Sequence, residues 1–165
     1  MIFVVSGTQK FQFDRLFIAI DNLICDGKIN DEVFAQIGSS NYIPQKYQYG
    51  RFISNEVFDS YINKADLIIA HSGIGVIKTS IRIGKPVVVI PRLAKFGEHV
   101  DDHQLEIAEI YSNQNFLEVC YDEKNLEVAI ENAKTKVFAK YETDLPMASD
   151  IIEKFLKEGN RIKNN

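Results

Sequence analysis

The chain alternates short, unbroken apolar runs with longer stretches of helical period. Ile2–Val5, Val33–Ile37, Leu67–Ala70, Val87–Ile90 and Phe116–Val119 are apolar at nearly every position. Runs of this kind suit strands of a parallel sheet covered on both faces. Residues 39–49 are polar and tyrosine-rich and read as a loop, with Arg51–Ile53 as a short third strand. Between the strands the period changes. Phe13, Leu16, Phe17, Ile20, Leu23 and Ile24 share one helical face, with Asp14, Arg15, Asp21 and Asn22 on the other and Gly27 as the stop. Glu56–Lys64 is a second helix. Ile74, Ile77 and Ile81 mark a third, ended by Gly84 and barred from continuing by Pro86. After a polar loop at 92–100, a helix over Asp101–Tyr111 is expected to turn Leu105, Ile107 and Ala108 inward. Asp122 is expected to cap a helix carrying Leu126, Ala129, Ile130, Ala133 and Val137. A last amphipathic helix is expected at about residues 146–158, with Ile151, Ile152, Phe155 and Leu156 as its apolar stripe and RIKNN frayed beyond it.

Six strands alternating with helices predict an α/β fold, a single Rossmann-like, doubly wound parallel sheet in the order 3-2-1-4-5-6. In that order the first and fourth strands are neighbours at the switch point. Their loops, SGTQ (6–9) and HSGIG (71–75), meet at one crevice. At 165 residues the chain is read as one domain over residues 1–165.

Composition changes this picture little. A net charge of −4 without a basic run argues against nucleic acid as a partner. No apolar stretch approaches the roughly 20 residues of a membrane span, and MIFVVSGT lacks the flanks of a signal peptide. Cys25 and Cys120 are expected to be reduced and buried, which points to the cytoplasm.

Three segments carry candidate chemistry. In HSGIG, Gly73 and Gly75 let an anion approach backbone N–H groups at a helix start, and Ser72 adds a hydroxyl. The alternative is that these glycines merely permit a tight turn, since there is no full G-x-G-x-x-G. In GEHVDDHQ (97–104), His99 and His103 stand four apart beside Glu98, Asp101 and Asp102. That spacing could hold a metal on a helix, but no third ligand is marked, so the expectation is no metal and a rim of hydrogen-bonding groups. In the opening loop, Gly7 and Thr8 could contact a diphosphate or sugar, while Lys10 and Arg15 are expected on a solvated face. Neither a Walker A sequence nor G-x-S-x-G is present, which argues against NTPases and esterases.

IFVVSGTQKFQFDRL at the start, QIG at 36–38, ADLIIAHSGIG at 65–75, GKP at 84–86 and DDHQ at 101–104 together resemble the C-terminal, donor-binding domain of glycosyltransferase family 28. More closely, the chain resembles the small stand-alone subunits of two-part transferases. These are the catalytic subunit of the dolichol-linked N-acetylglucosaminyltransferase and the bacterial capsular and exopolysaccharide subunits. The resemblance implies the C-terminal half of a GT-B fold, a UDP-sugar donor, a lipid-linked sugar acceptor, no metal and no cofactor. It implicates His71, Ser72, Gly73 and Gly75, with Gly7 and Thr8 opposite and His103 and Gln104 near the donor sugar. Family members often carry glutamate where Thr79 stands and related subunits histidine where Gln9 stands; Thr79 offers a neutral hydrogen bond to the ribose, and Gln9 cannot act as a base. The substrate-binding set is thus Gly7, Thr8, Ser72, Gly73, Gly75, Thr79, Glu98, Asp102 and Gln104, and the candidate bases are His71, His99 and His103. The implied activity is metal-independent hexosyl transfer from a UDP-sugar to a polyprenyl- or lipid-diphosphate-linked acceptor. A membrane-anchored, acceptor-binding partner would hold the subunit at the inner membrane face, with the helix at 146–158 as docking surface. A non-catalytic, nucleotide-sugar-binding regulator and another nucleotide-using α/β enzyme remain as alternatives.

Overall fold

The computed structural model describes residues 1–141. The helix expected at 146–158 and the frayed tail lie outside the described residues. The elements are β1 (Ile2–Val5), α1 (Asp14–Cys25), β2 (Val33–Gln36), β3 (Gln48–Gly50), α2 (Asn55–Lys64), β4 (Leu67–Ala70), α3 (Ile74–Arg82), β5 (Val87–Val89), α4 (His103–Asn113), β6 (Glu118–Val119) and α5 (Leu126–Thr135). Single 3-10 turns occur at Ala94–Phe96 and Glu123–Asn125. All strands pair in parallel in the order β3-β2-β1-β4-β5-β6, the order the apolar runs predict. β1 and β4 are in register from Ile2↔Leu67 to Val5↔Ala70, so their carboxyl ends finish side by side.

Both faces of the sheet are covered. Ile2, Val4, Val33, Ala35, Leu67, Ile69 and Val88 face a layer made by Phe13, Leu16, Phe17 and Ile20 before and along α1 and Leu126, Ala129 and Ile130 of α5. Phe3, Val5, Ile68, Ala70, Val87 and Val89 face Ile62 of α2, Val76, Ile77 and Ile81 of α3, and Ile107, Ala108 and Tyr111 of α4. Successive strand residues point to opposite faces, so strands buried on both sides must be apolar at every position. That is why the runs are unbroken.

Several local expectations are corrected. The third strand is Gln48–Gly50 rather than Arg51–Ile53; it is an edge strand whose Gln48 and Tyr49 are exposed, so no apolar pattern marks it. The inward stripe of α4 begins at Gln104, followed by Ile107, Ala108 and Tyr111, whereas Leu105 is half-buried. Asp122 caps the 3-10 turn that precedes α5, accepting from the Lys124 N–H. α5 ends at Thr135 because Lys136 is extended, which leaves Val137 86% exposed. Cys25 is exposed and Cys120 buried, both as free thiols. Asp21, expected in solvent, is buried, and its carboxylate accepts hydrogen bonds from the Tyr42 hydroxyl and the Gln45 and Lys46 N–H groups. It thereby ties the polar loop at 41–46 onto α1.

Candidate functional site

Because every strand runs the same way, the loops after β1, β4 and β5 collect at one edge of the sheet. The Ser6–Gly7 turn and the turn at His71–Gly73 lie against each other there, with the His71 N–H bonded to the Val5 carbonyl at 3.2 Å. Gly7 has φ +82°, a conformation that strains a side-chain-bearing residue. A Cβ on Gly7 would sit 2.5 Å from His71 Nε2, and one on Gly73 would sit 2.1 Å from His71 Cε1. The two glycines therefore form a slot for one imidazole. Gly75, by contrast, has open space where a Cβ would go.

Gln104 fixes the chemistry of that imidazole. Its Oε1 accepts from the Ser72 N–H (3.1 Å) and the Arg92 N–H (3.0 Å), so its amide NH₂ is the end that faces His71 Nδ1, 3.4 Å away. Nδ1 is then the acceptor, and the proton resides on Nε2, at the Gly7 side of the slot. Burial, the Arg92 charge and His99 lower the His71 pKa to about 3, so the ring is neutral at physiological pH. His71 is consequently a neutral Nε2–H donor in the crevice. With Nδ1 turned to Gln104 and its pKa held near 3, His71 is a poor general base.

α3 starts beside it without a side-chain cap. Gly73 is its extended N-cap, and the first bond of the helix is from the Ile77 N–H to the Gly73 carbonyl at 3.1 Å. The N–H groups at 74–76 thus have no intrahelical acceptor, and the helix dipole favours an anion there; those of Ser72 and Gly73 are already bonded, to Gln104 Oε1 and the His71 carbonyl. Ser72 is fully buried, and its hydroxyl has no hydrogen-bond partner among the described residues. Thr79 donates its hydroxyl to the Gly75 carbonyl at 2.9 Å, four residues back on the same helix. Thr8 is exposed on the opposite lip.

The segment after β5 is built differently. Arg92, 1% exposed, donates to the Ser6, Phe11 and Glu98 carbonyls and lies 5.2 Å from the Phe13 ring centroid. Burial lowers its pKa to about 10, with Glu98 opposing, so it stays charged at neutral pH. Glu98 is turned inward, 1% exposed. It receives Arg15 Nε at 2.7 Å, Arg15 Nη2 at 3.0 Å and the Leu93 N–H at 3.0 Å. Arg15 also reaches the Pro91 carbonyl and Glu123, so it does not lie on a solvated face. Asp102 accepts from the Ala94 N–H at 2.7 Å. Glu98 and Asp102 thus shape the rim through internal bonds. The fork of Arg15 and the role of Arg92 are invisible in helical periodicity; an arginine within an apolar strand end, VVVIPRL, is the one sequence signal of a buried cation.

The other two histidines converge on Asp101. His99 Nδ1 is 3.1 Å from Asp101 Oδ1, and His103 Nδ1 approaches the same oxygen more closely. Donor atoms of His99, Asp101 and His103 lie within 4.8 Å of one another.

Two cavities flank these features. One of about 400 Å³ lies at the rim between Gln12, Asp14, Arg15, Asn41, Phe96 and Glu98. Another of about 440 Å³, among Arg82, Lys85, Phe116 and Tyr141, sits by residues that precede β5 and β6, at the opposite edge of the sheet.

The parallel doubly wound sheet, with two loops meeting at its switch point, defines an α/β protein of the Rossmann-like class. Residues 1–159 match the glycosyltransferase family 28 C-terminal domain, and the chain belongs to that family. It is 29% identical over 143 residues to a UDP-N-acetylglucosamine–N-acetylmuramyl-(pentapeptide) pyrophosphoryl-undecaprenol N-acetylglucosamine transferase of Prochlorococcus marinus (strain MIT 9312), covering 84% of this chain and 36% of the relative. It is 36% identical over 74 residues to the UDP-N-acetylglucosamine transferase subunit ALG13 of Candida albicans (strain SC5314), covering 45% of this chain and 24% of the relative. The chain thus spans about a third or less of the length of these relatives. Among solved structures, the MurG of Acinetobacter baumannii superposes with a TM-score of 0.56 at 19% identity, over 79% of this chain and 40% of that one. These neighbours establish a Rossmann-like half of the GT-B type.

Proposed function

We propose that this chain is the donor-binding subunit of a glycosyltransferase that takes a UDP-sugar and passes the sugar to a lipid-diphosphate-linked acceptor. The observation that carries the reading is the uncapped start of α3 beside a neutral His71 donor and an unpartnered Ser72 hydroxyl. Backbone N–H groups at 74–76, the Ser72 hydroxyl and His71 Nε2–H would hold the diphosphate and stabilise UDP as it leaves with growing negative charge. Both relatives named above are UDP-N-acetylglucosamine transferases, which supports a UDP-N-acetylhexosamine donor. Thr8 and His103 would border the sugar, and a capsular or exopolysaccharide chain is the product class in view.

The acceptor hydroxyl needs a base. His71, its pKa held near 3, is a poor base. His99 and His103 each turn Nδ1 to Asp101, which leaves Nε2 of either ring as the proton acceptor; the alternative is a base from a second, acceptor-binding subunit, which would also bring the chain to the cytoplasmic membrane face. No helix among the described residues is long and apolar enough to cross a membrane. The segment at 146–158 is the proposed docking element.

Calorimetry and thermal melts with UDP test donor binding. UDP at about 100 times its dissociation constant stabilises the protein by roughly 2.7 kcal/mol, a melting shift of roughly 5–10 °C. A shift with NAD but not UDP would sink the reading. Transfer of radiolabelled sugar to a lipid-linked acceptor, with and without the partner, separates a catalytic subunit from a regulator.

A further inference from the structure

We infer that His99, Asp101 and His103 form a binding site for a divalent first-row transition-metal ion, which clamps the loop before α4 to the start of that helix. The site is independent of the donor reading above, in which the diphosphate is held by α3 and not by a cation.

Three observations carry it. First, the three donor atoms lie within 4.8 Å of one another. A tetrahedral ion with bonds of about 2 Å holds its ligands roughly 3–3.5 Å apart, so the widest pair would draw in while His103 Nδ1 and Asp101 Oδ1, which lie closer than that, would move apart. Second, the first ligand is preorganised. The His99 side chain is 7% exposed and its ring packs 5.3 Å from Phe11, centroid to centroid, while Asp101 and His103 are more accessible and leave an approach from solvent. Third, both imidazoles turn Nδ1 to the same Asp101 oxygen. One carboxylate thus already gathers the two nitrogens, and a cation among them would meet all three lone pairs at once.

Two imidazoles and one carboxylate suit zinc or cobalt, whereas magnesium and calcium prefer all-oxygen shells. Three protein ligands leave at least one coordination position for water. The stretch 99–103 joins the 3-10 turn at Ala94–Phe96 to α4, so the ion would fix the rim that presents Gln104.

The test is calorimetric titration of the full chain, first stripped with a chelator, with Zn²⁺ and with Co²⁺. One ion per chain is expected, with a visible d–d absorption band for Co²⁺ and no competition from Mg²⁺. Asp101→Asn and His103→Gln should each weaken binding by at least about tenfold. Zn²⁺ at about 100 times its dissociation constant should raise the melting temperature of the wild type by roughly 5–10 °C, and that of the double variant by much less. Asp101 and His103 are the exposed pair, so they carry the test even where His99→Gln fails to fold. No saturable binding overturns the inference. So does binding of unchanged affinity in the double variant, which would place the ion elsewhere and leave the two imidazoles as plain N–H donors to a shared carboxylate.

Discussion

The turn at residues 71–75 and the segment from Pro91 to Gln104 flank the same crevice and treat their polar groups in opposite ways. In the second segment most of the buried polar groups are consumed internally, Arg92 Nε excepted: the Arg92 Nη groups bind three carbonyls, Glu98 binds Arg15 and the Leu93 N–H, and Asp102 binds the Ala94 N–H. In the turn the His71, Ser72 and Gly73 N–H groups are bonded internally, but α3 begins without a side-chain cap and the buried Ser72 hydroxyl has no partner among the described residues. Carboxylates and arginines look like chemistry in a sequence, yet here they make the frame. The proposed donor site draws instead on a helix start, one hydroxyl and one neutral imidazole.

The strongest way to break this comparison is to remove the frame. Glu98→Ala leaves the Arg15 fork without its main acceptor in a buried setting. It should destabilise the fold by about 3 kcal/mol in urea denaturation, in line with other broken buried pairs. A loss below about 1 kcal/mol would mean that Glu98 is not structural.

A second prediction concerns pH. The folded-state pKa of His71 lies near 3, below its unfolded value of about 6.5. Its contribution to stability is fully present above pH 6.5 and is lost as pH falls toward 3, because the unfolded chain binds the proton first. Between those limits the slope is about 1.4 kcal/mol per pH unit. His71→Gln should flatten the stability profile by that amount from pH 6 to pH 4. Identical profiles for the two proteins would place the imidazole in water.

Glycine substitutions sharpen the contrast within the turn itself. Gly73→Ala drives a Cβ into the His71 ring and should weaken UDP binding about tenfold or more, with part of the effect on folding. Gly75→Ala meets nothing within 4 Å and should leave the circular dichroism and melting temperature intact. If Gly75→Ala also leaves UDP affinity untouched, the phosphate does not descend on the α3 start.

The smallest effect is the most diagnostic. Ser72→Ala removes a buried hydroxyl without a partner, so it should stabilise the free protein by about 1 kcal/mol while weakening UDP binding. A destabilised Ser72→Ala protein would show that the hydroxyl is already satisfied.

Legibility in the sequence followed solvent exposure. Strands buried on both faces announce themselves, so five of the six strand positions and the strand order could be read from apolar runs. β3 could not, because an exposed edge strand such as Gln48–Gly50 has no hydrophobic requirement. Glycines at 7, 73 and 75 lie on the two loops that meet at the switch point, but two of them clear space for His71, a neighbour 64 residues from Gly7 that only the β1–β4 pairing reveals. Asp21 and Arg15 were misjudged for one reason. Helical period reports which face meets the core, not whether a distant loop will cover the other face.

The Arg92 guanidinium has a consequence for the order in which the molecule acquires its properties. It bonds to the Ser6 carbonyl across 86 residues, and Glu98 meets Arg15 across 83. Parallel pairings over such separations close long loops before any contact rewards them, and they form slowly. A nascent chain that has emerged as far as Ile90 carries both glycine turns and the β1–β4 pairing but lacks the Arg92 and Gln104 bonds that brace them. Affinity for nucleotide should therefore appear with the slowest main phase of refolding rather than grow alongside secondary structure.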